Sequence, residues 1–67
     1  MDLAKSLRLA TAIKGCTSVQ ISAAIEVSVQ MISHWRTSGM ISLRNLEKLA
    51  AYFEMTVSDF IKLGEDN

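Results

Sequence analysis

Gln30, Ser33 and His34 stand three and four positions apart, so on a helix all three share one side. An amide, a hydroxyl and an imidazole can each hydrogen-bond a base edge, and neighbouring Val29 can touch a thymine methyl in a major groove. A serine and a histidine could also suggest a nucleophile and its base. Ser33 and His34 are sequence neighbours, however, and point about 100° apart on a helix, so they cannot form that pair. One histidine and one cysteine cannot close a four-ligand structural metal site, and three scattered glycines build no phosphate-cradling loop. The chain therefore reads as non-enzymatic, with no metal, cofactor or small-molecule ligand. On these residues alone, a merely solvated helix face remains the alternative to a base-reading one.

The stretch that must position these side chains is Thr17 to Arg36, TSVQISAAIEVSVQMISHWR, which reads as two short helices around a tight corner. Thr17 and Gln20 form a capping-box pair, in which each side chain satisfies the other residue's backbone donor. Val19, Ile21, Ala24 and Ile25 follow in a helical rhythm. Glu26-Val27-Ser28 is the corner, and Ser28 caps the second helix. In that helix Ile32 and Trp35 share the inner side, with Met31 at its edge, so Trp35 reads as core rather than as a base-stacking platform. Gln30, Ser33, His34 and Thr37 lie outward. No acid occurs between Val27 and Leu46, whereas Arg36 and Arg44 do, so a phosphate would meet no repulsion there.

Thr17 to Gly39 resembles the helix-turn-helix of the phage Cro and repressor family, and the likeness runs without gaps to about Gly64. Val27-Ser28-Val29-Gln30 through Trp35-Arg36 is similar to the V-S-x-x-x-I/V-x-x-W form of its recognition helix. The resemblance implies an all-α, compact five-helix domain over 1–67, with the helix-turn-helix at about 17–36. Ser18 to Ile25 would be its supporting helix and Val29 to Arg36 its recognition helix. It further implies sequence-specific binding of double-stranded operator DNA, and transcriptional repression in a phage or prophage. Ser28, Val29, Gln30, Ser33 and His34 would then contact bases; Thr17, Ser18, Arg36, Thr37 and Arg44 would contact phosphates. Two positions depart from the family. Glu26 stands where glycine is usual, and a left-handed conformation there would strain it by about 1 kcal/mol. Thr11 and Arg36 replace an Arg–Glu brace, which would leave Arg36 free for phosphate.

The remaining chain supplies a body for that unit. Sixty-seven residues make one domain, and a chain this short buries only about 60 % of its unfolded surface. Leu3, Leu7 and Ala10 make an inward stripe on a first helix from about Asp2 to Lys14, with Ile13 close to it and Leu9 off it. Cys16 reads as a small core residue. It has no partner for an internal disulfide, which suits a reducing cytoplasm. Thr37 to Ile41 reads as a loop, after which Ser42 caps a fourth helix carrying Leu46, Leu49, Ala50 and Phe53. Thr56 and Asp59 open a last helix with Val57, Phe60 and Ile61 inward; Gly64 would stop it before a fraying polar tail, 65–67. Neither a membrane span nor a secretory signal is evident.

Net charge is zero, but its distribution is uneven: Lys5 to Lys48 holds six basic residues against two acids, and Leu49 onward holds one against four. Such a dipolar chain can turn its basic side toward DNA. One recognition helix covers few base pairs, so a homodimer, at least on DNA, is expected through Met55, Val57, Ser58 and Ile61. The rival reading is a protein-binding module, such as the antitoxin of a toxin–antitoxin pair, using an apolar surface around Met40, Met55 and Leu63.

Overall fold

Side-chain caps set where the helices begin. In the computed structural model, which describes residues 2–65, they bound five helices and no strand occurs among the described residues. Asp2 accepts from the Lys5 amide at 3.0 Å and opens α1, Leu3–Lys14. At Thr17 both halves of the capping box form, 2.9 and 3.2 Å, and open α2, Ser18–Ile25. Ser28 accepts from the Met31 amide at 3.1 Å and opens α3, Val29–Ser38. Ser42 caps α4, Leu43–Tyr52, and Thr56 accepts from the Asp59 amide at the start of α5, Val57–Glu65.

Three expectations about helix ends change. Residues 37 and 38 are not loop: α3 continues to Ser38 and is closed by Gly39, whose φ of 71° is the left-handed cap that an L side chain adopts only with strain. Gly39 also packs against Ala4, where an added Cβ would stand 3.0 Å from a backbone nitrogen. Gly64 does not stop α5 but lies buried inside it. A Cβ there would overlap the Asp2 carbonyl oxygen and stand 2.5 Å from Ser6 Oγ, so glycine lets α5 lie directly against the start of α1. Of the expected polar tail, Glu65 is helical, and Asp66 and Asn67 lie outside the described residues.

The core joins all five helices. Leu7, Ile21, Ile32, Leu49 and Phe60 are fully buried, with Trp35, Ala10, Ala50, Ile25, Leu46 and Phe53 around them. Phe53 stacks on Phe60 at 6.1 Å and meets Tyr52 edge-on at 5.1 Å. Ile13, expected close to the inward stripe, is 73 % exposed, because it lies about 120° around α1 from Leu7. The i+4 position from Leu7 is instead Thr11, buried with its hydroxyl donating to Leu7 O at 2.6 Å. Val19 and Ala24 likewise face outward on α2, and Leu9 is exposed as expected. Cys16 is only half-buried at the core's edge. Its thiol reaches Thr11 O at 4.0 Å, and together with partial burial, the larger cause, it raises the pKa of Tyr52.

A candidate nucleic-acid interface on the third helix

The buried side of α3 fixes which side chains look outward. Ile32 and Trp35 enter the core with Ile21 and Leu49, and the remaining arc of the helix cannot turn inward with them. Ser28, Val29, Gln30, Ser33, His34 and Thr37 are accordingly all exposed. The side chains of Gln30, Ser33 and His34 hold no hydrogen bond among the described residues. Val29 and Met31 leave 42 % and 43 % of their surfaces exposed, so an amide, a hydroxyl and an imidazole stand beside apolar carbon. Such a mixture can meet both the polar edges and the methyl groups of a major groove.

The corner that aims α3 keeps the conformation glycine would favour. Glu26 has φ 59° and ψ 48°, and the amides of Glu26 and Val27 both return to Ser22 O. The corner is therefore not reshaped by the side chain; the strain of a left-handed residue, about 1 kcal/mol, is held in place.

The expected phosphate contacts divide. Thr17 is exposed, and its hydroxyl accepts from the Gln20 amide while its own proton is left to donate outward. Thr37 donates back to His34 O at 3.0 Å and must rotate to reach a phosphate. Arg36, expected to be free, is not: its Nη1 donates to Ser18 Oγ at 3.1 Å and joins α3 to the start of α2. Sequence reasoning sought a brace at Thr11 and missed Arg8, one helical turn earlier. Arg8 Nη1 donates to Arg36 O at 2.8 Å and links α1 to the end of α3. The signal available in sequence was that Arg8 is the only arginine in α1.

Arg44 is exposed in the first turn of α4, beside Leu43, which is 65 % exposed. A cation at the positive end of a helix dipole is locally unfavourable, by about 0.3–1 kcal/mol. No acid occupies the first turn of α2, α3 or α4 either, and their caps Thr17, Ser28 and Ser42 are neutral. Three helix starts thus present positive potential without an internal counter-charge.

The residues expected at a dimer contact lie apart from this face. Ser58 is exposed, while Met55, Val57 and Ile61 are half-buried, with Met55 and Val57 packed on the chain's own core. A surface depression of about 460 Å³ is lined by Ala24, Ile25, Glu26, Lys48, Ala51 and Tyr52, and no residue of α3 enters it. Among the described residues there is no group of metal-ligating side chains, and no helix is long and apolar enough to cross a membrane.

Searches of protein-family models, characterised proteins and solved structures found no significant match to this chain.

Proposed function

We propose that this chain binds double-stranded DNA in a sequence-dependent manner and regulates transcription as a repressor of the phage Cro type. The observation that carries the reading is the outer face of α3: Val29, Gln30, Ser33 and His34 exposed together, opposite a buried Ile32 and Trp35, with no acid between Val27 and Leu46. In this reading α3 lies in the major groove. Gln30 reads an adenine with its amide, Val29 meets a thymine methyl, and Ser28, Ser33 and His34 reach further base edges. Thr17, Ser18, Arg36, Thr37 and Arg44 seat the domain on phosphates, helped by the acid-free starts of α2 and α4.

The functional unit is a homodimer on DNA, formed through Met55, Val57, Ser58 and Ile61 and working in a reducing cytoplasm. Its half-sites lie about one helical turn apart. For the rival protein-binding reading, only Met40 offers a largely exposed side chain, at 76 %; Met55 and Leu63 are half-buried against the core.

Selection of binders from random duplex DNA, followed by footprinting, tests the proposal. The expected result is an enriched two-fold-related site protected on two half-sites. Recovery of no duplex above background rejects the DNA reading. A single asymmetric site protected by one chain rejects the dimer.

A further inference from the structure

We infer that Arg8 is a positioning residue for the DNA interface: by holding the Arg36 carbonyl, it orients Arg36 on Ser18 and so builds a phosphate seat where α2 begins. The inference rests on the DNA-binding reading above.

The carbonyl of Arg36 belongs to the last turn of α3, where the helix supplies no amide of its own. The neighbouring carbonyl of Trp35 is taken by the Gly39 amide at 3.0 Å, and the Met40 amide turns to Ser38 Oγ. Arg8 fills the vacant place from 28 residues away, at 2.8 Å, and its charge also complements the negative end of the helix dipole. With the backbone of Arg36 held from α1, its side chain extends to Ser18 Oγ at 3.1 Å, in a half-buried setting. Two bonds therefore tie three helices at one corner.

Both acceptors are neutral oxygens, a carbonyl and a hydroxyl, so neither bond neutralises its guanidinium. Each guanidinium carries five N–H donors in a fixed plane, and the one bond leaves Arg36 with others to offer. Ser18 is the first residue of α2, whose opening turn has unpaired amides and no acid. A phosphodiester oxygen placed there meets Arg36, the Ser18 amide and the Thr17 hydroxyl together. Arg8 acts on this seat through Arg36.

The test uses the intact chain as parent, Arg8→Met, Arg8→Lys and Arg36→Met. Amide hydrogen exchange in the DNA-free protein reads the brace alone, at Gly39 and its neighbours, with the Phe60 amide (bonded to Thr56 O at 3.0 Å) as internal reference. Salt titration of binding to the selected duplex reads the seat. Arg8→Met should speed exchange at the end of α3 several-fold relative to Phe60. It should also weaken duplex binding about three- to tenfold, the range expected for one partly exposed hydrogen bond. Its salt dependence should match the parent's, because every phosphate keeps its partner. Arg8→Lys should recover part of both effects, and Arg36→Met should flatten the salt dependence by about one unit of slope per protomer.

A full-unit drop in slope for Arg8→Met would make Arg8 a phosphate contact and overturn its positioning role. Unchanged exchange or unchanged affinity in Arg8→Met, with a parent that binds the duplex, overturns the inference while leaving the DNA reading intact. A parent that binds no duplex rejects the DNA reading and the phosphate seat with it, whatever the exchange data show.

Discussion

The outer pair of helices, α1 and α5, and the inner three, α2 to α4, treat their own ends differently. Asp2 caps α1, and Asp59 sits in the first turn of α5, so both meet the helix dipole with an acid. The inner three start from Thr17, Ser28 and Ser42 without one, and Arg44 places a cation at the start of α4. Where the outer pair meets, the surfaces are close enough to require Gly64, and the buried Ser6 hydroxyl shares its proton between Asp2 O and Ile61 O, each 3.3 Å away. Around the inner helices, Val19, Val29, Met31, Met40 and Leu43 are left exposed. The outer pair satisfies the ordinary rules of stability, whereas the inner three forgo several of them, and α3 among them carries the exposed Gln30, Ser33 and His34. Local violations gathered in one region are expected at functional sites, and under the proposed DNA-binding reading an anionic partner would complete the arrangement. The division is not absolute, since α1 also exposes Leu9 and Ile13.

The largest effect on stability should come from the inner side of α3. Trp35 is 2 % exposed, and Trp35→Ala should cost about 3–5 kcal/mol, a large part of the stability of so small a domain. Chemical denaturation followed by circular dichroism reads this. A variant that unfolds with the parent would place Trp35 outside the core and remove the anchor that turns Gln30 outward.

The seam of the outer pair comes next. Gly64→Ala should destabilise by about 1–3 kcal/mol, because the added methyl overlaps the Asp2 backbone carbonyl, which no side-chain rotation can relieve, and also crowds Ser6 Oγ. The sign is the informative part, since in an exposed helix interior the same change stabilises by about 1 kcal/mol. A melting temperature at or above the parent's would show that α1 and α5 are not in close contact, and the contrast between the two regions would lose its firmer half.

Most of the helix frame was legible because its signals are local. Each of Asp2, Thr17, Ser28, Ser42 and Thr56 accepts from an amide three residues on, a relation that sequence spacing states directly. The outward placement of Gln30, Ser33 and His34 followed from Ile32 and Trp35 by helical period alone. Gly64 and Arg8 were illegible for the opposite reason. Ser6 meets Ile61 across 55 positions and Arg8 meets Arg36 across 28, and nothing in their local patterns announces those neighbours. Gly64 stood near a chain end, where a stop signal is the usual meaning, and Arg36 lacked the acid with which arginine usually pairs. In both cases, tertiary proximity supplied a role that residue type and spacing could not.

A smaller effect should separate strain from function at the corner. Glu26 and Glu54 are the two left-handed non-glycine residues among the described residues, each at φ 59°. Replacing either by glycine should stabilise by about 0.5–1 kcal/mol, a few degrees in melting temperature. Only Glu26→Gly removes an acid at the corner between α2 and α3, so under the DNA-binding proposal it alone should strengthen DNA binding. Equal binding by both variants would detach that corner from the interface.

The smallest effect on stability belongs to the residue with the sharpest expected effect on recognition. Gln30 is exposed and holds no hydrogen bond among the described residues, so Gln30→Ala should change stability by no more than about 0.5 kcal/mol. Against DNA its amide can both donate to and accept from one adenine edge, a pairing worth about 1–3 kcal/mol against a wrong base. Gln30→Ala should therefore weaken operator binding, leave non-specific binding nearly unchanged, and narrow the gap between them. Arg44 offers the control: exposed at the start of α4, it would, in the proposed reading, meet phosphate whatever the sequence. Arg44→Ala should weaken both kinds of binding. It should also flatten the salt dependence by about one unit of slope for each phosphate left without its arginine, or two in a symmetric dimer. Salt titrations of operator and scrambled duplex with each variant separate the two behaviours. If Gln30→Ala binds and discriminates as the parent does, the outer face of α3 is not the reading surface. The exposed arc opposite Ile32 and Trp35 would then be an ordinary solvated helix face.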